Sequence, residues 1–246
     1  MSDPLFLADS VDVAVGGVLH LDGPEGRHAA VVRRIRVGEQ VLVADGFGNA
    51  IRGVTHLVGR DFVDVEVVER LREPVREHRW VAVQALAKGG RDEQAVEAMT
   101  ELGVDEVIAW QASRSVVEWR GAEKQAKGLA KWQSTAREAA KQSRRFRVPK
   151  VGCATSAADV CKLIRAAAQA FVLHESATDF LDAQVLVPSG EVLFIVGPEG
   201  GITPEELAAF EDAGAKSVLV ADHVLRTSTA GVVALAQLQA MARAHV

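Results

Sequence analysis

Leu193-Phe194-Ile195-Val196-Gly197-Pro198-Glu199-Gly200-Gly201-Ile202-Thr203-Pro204-Glu205-Glu206 is the stretch that decides the fold class. Its opening apolar run has no polar alternation, as in a strand buried on both faces. The run breaks at a Gly-rich bend. A helix should open straight after it. Thr203 can cap that helix, Pro204 suits its first position, and Glu206 can close a capping box. Strand, loop and helix in that order build an open α/β sheet, whose ligands sit at the carboxyl ends of strands. Glycines there let a ligand approach the backbone. The loop is not G-x-G-x-x-G and lacks the Walker lysine, so neither a dinucleotide nor a nucleoside triphosphate is indicated.

Moving outward, Ser217 to Val220 is another compact apolar strand. A polar loop follows, Ala221-Asp222-His223-Val224-Leu225-Arg226-Thr227-Ser228-Thr229, and then a helix from Ala230 to Arg243 that Ser228 or Thr229 can cap. Arg226 is out of place there, because a cation opposes the dipole at a helix N-terminus. Such a cation more plausibly serves a function. Leu173-His174-Glu175 closes a third strand, Ala170 to Leu173. Further strands are expected at Val81 to Leu86, Val107 to Trp110 and Val151 to Ala154. Helices are expected at Arg91 to Leu102, Glu123 to Ser143 and Ala157 to Ala168, with Gly103 stopping the first. Alternating strands and helices imply a mostly parallel sheet covered on both faces.

The N-terminal part reads differently. Val11 to Val15, Glu39 to Ala44, Ala50 to Val58 and Phe62 to Val68 are short Val-rich runs, and Asp45 to Asn49 is a hairpin-type turn. A short helix is expected from Gly26 to Ile35. Several short strands with turn signals suggest a small β-barrel. The charged stretch Glu69-Arg70-Leu71-Arg72-Glu73-Pro74 reads as a linker, which divides the chain into domains 1–72 and 73–246.

The formal net charge of the 246 residues is -5, so bulk charge does not favour nucleic acid and any such contact must use local basic patches. Cys153 and Cys161 form no Cys-x-x-Cys pair and lie near no His cluster, which argues against a disulfide scaffold or a metal site and for two buried thiols. The N-terminus has no basic region of the signal-peptide kind, and no apolar run reaches the roughly 20 residues that span a bilayer. A cytoplasmic protein is expected.

Several segments in order carry a resemblance to a known family. They are Arg27-His28-Ala29-Ala30-Val31-Val32-Arg33-Arg34-Ile35-Arg36-Val37-Gly38-Glu39, Ala87-Lys88-Gly89-Gly90-Arg91, Met99-Thr100-Glu101-Leu102-Gly103-Val104, and Ala139 to Arg145 with Val148-Pro149. Gly197 to Gly201 and Leu225 to Ala230 complete the set. Together they resemble the small-subunit (16S) ribosomal RNA uracil-N3 methyltransferases, the RsmE type of the SPOUT superfamily. The sequence departs at Ser228, where the more usual residue is Glu.

The resemblance implies an N-terminal PUA-like barrel, a C-terminal α/β domain with a trefoil knot, a homodimer, and S-adenosylmethionine as cofactor. The cofactor would lie among three loops: Leu173, His174 and Glu175; Val196, Gly197, Pro198, Glu199, Gly200 and Gly201; and Val220, Leu225, Arg226, Thr227, Thr229 and Ala230. Uracil N3 must lose a proton, so Arg226 is the expected stabiliser of the ring charge and Glu199 a candidate base. Phosphate contacts are expected from Arg33, Arg34 and Arg36, from Lys88 and Arg91, and from Lys141, Arg144, Arg145 and Arg147, with Phe146 as a stacking residue. No metal is expected. The expected partner is 16S rRNA, within the small ribosomal subunit. The rival readings are a ribose 2′-O methyltransferase of the same superfamily and a non-catalytic ribosome-assembly protein.

Overall fold

A computed structural model describes residues 3–244. The chain divides into two compact units. One runs up to Val75 and also includes Glu138–Val148; the other comprises Arg76–Arg137 and the chain from Pro149 onward.

The first unit holds a five-stranded, mostly antiparallel sheet in the order β1-β3-β4-β5-β2. The strands are β1 (Leu5–Leu7), β2 (Val18–Leu21), β3 (Gln40–Ala44), β4 (Asn49–Val58) and β5 (Val63–Arg72). Only β1 and β3 pair in parallel. Val63, Val65 and Val67 face inward with Phe6, Leu19, Val41, Val43 and Ile51, as the alternation along β5 demands. Val11 to Val15 is not a strand; β1 and β2 flank it instead. The expected helix is α1 (Gly23–Arg27), continued by a π-helical turn at His28–Val32. The expected linker is also corrected. Glu69 to Arg72 pair with β4, so β5 continues to Arg72 and the connection begins at Glu73.

The second unit holds a six-stranded parallel sheet in the order β11-β9-β10-β6-β7-β8. In chain order its elements are β6 (His78–Ala85), α2 (Arg91–Leu102), β7 (Glu106–Trp110), α3 (Ala122–Gln142), β8 (Lys150–Ala154), α4 (Ala157–Ala166), β9 (Gln169–Leu173), β10 (Gly190–Val196), α5 (Pro204–Asp212), β11 (Lys216–Val218) and α6 (Thr227–Ala244). α3 begins in this unit, and its last residues belong to the first. The central strand β10 is buried throughout Val192–Val196, and its side chains serve two cores. Val192, Phe194 and Val196 pack with α2 and α6, while Leu193 and Ile195 pack with α4 and α5. Each fully buried side chain of this size contributes roughly 1.5–3 kcal/mol. α2 stops at Gly103, whose φ of 104° is open to glycine without strain. α6 starts three residues earlier than expected, at Thr227, so neither Ser228 nor Thr229 is its cap. No helix among the described residues is long and apolar enough to cross a membrane. Cys161 is buried, but Cys153 is only half-buried.

Candidate active site

The loops after β9, β10 and β11 meet at one cleft of about 400 Å³ at the carboxyl ends of the strands. That volume lies within the roughly 300–1,000 Å³ of small-molecule pockets. Three groups of residues line it. Leu173, His174 and Glu175 come from the first loop, Val196 to Ile202 from the second, and Val224 to Thr227 with Ala230 from the third. Val220 lies outside this cleft and lines an adjoining one. Thr229 lines neither; its backbone N–H donates to the Arg226 carbonyl at 2.8 Å.

The second loop is built as its sequence suggests. Thr203 accepts from the Glu206 backbone N–H, and the Glu206 side chain accepts from Thr203 N–H, closing the capping box. Glu206 is also buried, and its second oxygen accepts from Ser113 N–H at 2.8 Å. The capping residue therefore also anchors the loop after β7. A Cβ at Gly200 would lie 3.0 Å from the Arg114 Cβ and carbonyl oxygen. So this glycine admits the neighbouring loop. The same glycine also lines the cleft.

Arg91 lines the cleft, in addition to the residues expected there. Its Nη1 donates to Glu199 Oε1 at 2.9 Å, and Lys88 N–H donates to the same oxygen at 3.2 Å. Burial pushes the Glu199 carboxyl up, but its own backbone N–H, Arg91 and Lys88 N–H outweigh that and hold it below the usual carboxylate range. Arg226 is exposed and has no ion pair among the described residues. Thr227 is buried. Its hydroxyl donates to the Gly197 carbonyl at 2.8 Å and accepts from Gln84 Nε2 at 2.9 Å. Gln84 escaped the sequence reading because a polar residue inside an apolar strand run gives no local signal of its partner.

The basic residues separate into two kinds. Arg33, Arg34 and Arg36 are exposed beyond the π-helical turn, and Arg34 has a positive φ of 54°. Arg144 and Arg147 are exposed, whereas Lys141 and Arg145 are buried. The Lys141 ammonium donates to Glu25 at 3.1 Å and Glu138 at 3.2 Å. These two cations are spent inside the fold and cannot grip phosphate. Phe146 packs against Leu5, Leu7 and Leu42, so it is not a free stacking surface. Among the described residues of this unit, the exposed phenylalanine is Phe47, 72% exposed at the β3–β4 hairpin tip.

Comparison with known proteins bears on the family and the fold. The RNA methyltransferase domain model matches residues 75–239. Ribosomal RNA small subunit methyltransferase E of Mycobacterium bovis is 44% identical over 235 residues, 94% of this chain and 89% of that protein. Its Bacillus subtilis namesake is 29% identical over 229 residues, 89% of this chain and 88% of that one. The crystal structure of ribosomal RNA small subunit methyltransferase E from Neisseria gonorrhoeae bound to S-adenosyl methionine aligns with a TM-score of 0.84 at 26% identity, covering 98% of both chains. A domain match across most of the chain, and 44% identity along nearly all of it, lead to one conclusion: this chain belongs to the RNA methyltransferase family, alongside the proteins named ribosomal RNA small subunit methyltransferase E.

Proposed function

We propose that this chain transfers a methyl group from S-adenosylmethionine to N3 of a uridine in 16S ribosomal RNA. The observation that carries the reading is the cleft at the carboxyl ends of β9, β10 and β11, with a free guanidinium at Arg226. Its residues fit the cofactor. Leu173, Val196, Ile202 and Leu225 offer apolar walls for an adenine, the Gly197 to Gly201 bend offers backbone donors and acceptors, and Glu175 offers a carboxylate to a cationic ligand.

When bound, the cofactor supplies an activated methyl group on a positive sulfur. The chain's residues must orient the base, exclude water and hold the charge left when the N3 proton departs. Arg226 is the residue suited to that charge. Glu199 already accepts from Arg91 and is held ionised below the usual range, so it is better suited to fixing Arg91 than to taking a proton. The N3 edge is reachable only in an unpaired base. Arg33, Arg34, Arg36, Arg144 and Arg147 are exposed cations for the flanking phosphates, and Lys88 is exposed beside the Glu199 loop.

The family resemblance extends the proposal. The first unit, with its sheet order β1-β3-β4-β5-β2, is read as a PUA-like RNA-binding barrel within domain 1–72. The three loops are read as a trefoil knot in domain 73–246. The active form is a cytoplasmic homodimer acting on the small ribosomal subunit. The test is to incubate the enzyme and S-adenosylmethionine with purified 16S RNA and, separately, with assembled small subunits, then digest to nucleosides for mass spectrometry. The expected product is 3-methyluridine. A ribose-methylated nucleoside would replace this reading with the 2′-O reaction, and cofactor binding without any product would favour a non-catalytic assembly protein.

A further inference from the structure

Gln84 lies near the carboxyl end of β6, with Val196 of β10 as its register partner, one residue before the glycine loop begins. It has no exposure. Alternation along β6 puts it on the same face as Trp80 and Ala82, the face covered by α2 and α6. Nε2 donates to Thr227 Oγ1 at 2.9 Å and to the Ala85 carbonyl at 3.2 Å. The Thr227 hydroxyl in turn donates to the Gly197 carbonyl at 2.8 Å. Turning the amide over would set Oε1 against the Ala85 carbonyl, so the donor end must face Thr227. The cost is visible: Oε1 is buried with no hydrogen-bond partner among the described residues. A leucine would fill the same space without desolvating a carbonyl. A buried polar group kept at a net cost points to function more than to packing.

We propose that Gln84 and Thr227 are positioning residues, a buried donor chain that ties the Gly197 carbonyl to the first turn of α6 and so sets the separation of two loops lining the cleft. Neither group needs to touch the cofactor. Thr227, which sequence reading groups with cofactor contacts, turns its hydroxyl inward to this chain instead. The inference rests on the cleft's being the S-adenosylmethionine site.

The experiment measures S-adenosylmethionine affinity by calorimetry and, separately, the unfolding midpoint without cofactor, for the full-length parent, Gln84→Leu, Thr227→Val and Thr227→Ser. Gln84→Leu and Thr227→Val should each weaken binding about tenfold, the effect of losing one buried hydrogen bond whose acceptor is left unpaired. Thr227→Ser keeps the hydroxyl and should bind like the parent. The double variant Gln84→Leu/Thr227→Val should bind no worse than either single one, because one chain is broken once. Without cofactor, Gln84→Leu should unfold at the parent midpoint or above it, since the unpaired carbonyl is gone. That opposition separates positioning from general stabilisation, which would lower affinity and midpoint together. Parent-like affinity in Gln84→Leu and Thr227→Val, or an affinity loss in Gln84→Leu that comes with a lowered midpoint, overturns the inference alone. A parent that binds no S-adenosylmethionine overturns the reading of the cleft, and this inference with it.

Discussion

Glu199 and Arg226 both line the cleft, and their partners separate their roles. Glu199 accepts from Arg91 and from the Lys88 backbone, whereas Arg226 has no ion pair among the described residues. Both residues could be picked out in the sequence, one from an acid in a Gly-rich bend and the other from a cation at a helix start. The partner could not. Arg91 is 108 positions from Glu199, and nothing local marks the pair, so it reads as an RNA contact. The pairing gives a sharp expectation. A general base is worth roughly 10²–10⁴ in rate. Glu199→Gln should lose no more than about tenfold in kcat, with the larger change in cofactor affinity, while Arg226→Ala should lose far more in kcat. Because the Glu199 carboxyl is held low when folded, its ionised state favours the fold above the ordinary carboxylate range. That contribution fades as pH falls through the lowered value. The parent should therefore lose stability in that acid range, and Glu199→Gln should show a flatter profile of unfolding midpoint against pH. A hundredfold loss of kcat in Glu199→Gln, at unchanged affinity, would restore Glu199 as the base.

At the scale of elements, apolar pattern made most of the parallel sheet legible and left charged elements unread. The bounds of α2 match its reading because its apolar face is regular and Gly103 ends it. The end of β5 reads as a linker because its residues are charged and mostly exposed; cross-strand contacts such as Arg52 with Glu69 hold it in the sheet. The end of α3 misleads in the opposite sense. Lys141 and Arg145 look solvated, yet they are buried, and Lys141 is held by Glu25 from far along the chain. The hairpin tip beside that segment is well fixed. Asp45 accepts from Phe47 N–H at 2.7 Å and from the Asn49 side chain at 2.6 Å, and Arg147 bridges to Gly46 and Phe47. An exposed ring beside exposed Arg147 suits an unpaired base and its phosphate. Phe47→Ala should weaken RNA binding by roughly 1–3 kcal/mol, and Arg147→Ala should flatten its salt dependence. Lys141→Ala should instead destabilise the fold, by roughly 1–3 kcal/mol, because it strips the ammonium from the half-buried Glu25 carboxylate. Gel-shift titrations at several salt concentrations, beside thermal unfolding, separate the two kinds of cation. RNA affinity unchanged in both Phe47→Ala and Arg147→Ala would remove the hairpin tip from the interface.

At the scale of the molecule, a division by sequence position misses that Glu138–Val148 belongs with the first unit. A linear reading assigns neighbours in sequence to one domain, and only packing reveals a segment that belongs elsewhere. Phe146 and Val148 pack with Leu5, Leu7 and Leu42, and Lys141 pairs with Glu25. A chain cut after residue 72 would therefore leave an apolar patch and a buried cation exposed, and it is unfit for testing whether the proposed homodimer shares its sites. Full-length point variants avoid that fault. One chain carries Arg226→Ala, which disables the cleft. The other carries Arg33→Ala, Arg34→Ala and Arg36→Ala, which remove exposed cations from the first unit and leave its core intact. Each variant alone should be nearly inactive. If RNA held by one subunit is methylated in the cleft of the other, mixed dimers contain one intact composite site and regain activity, up to about a quarter of the parent rate after random exchange of equal amounts of the two chains. If each cleft is served by its own first unit, every mixed dimer has one defect in each site and activity stays at the level of the parent variants. Native mass spectrometry of the mixture establishes that exchange has occurred, so an inactive but fully exchanged mixture rules out the shared arrangement.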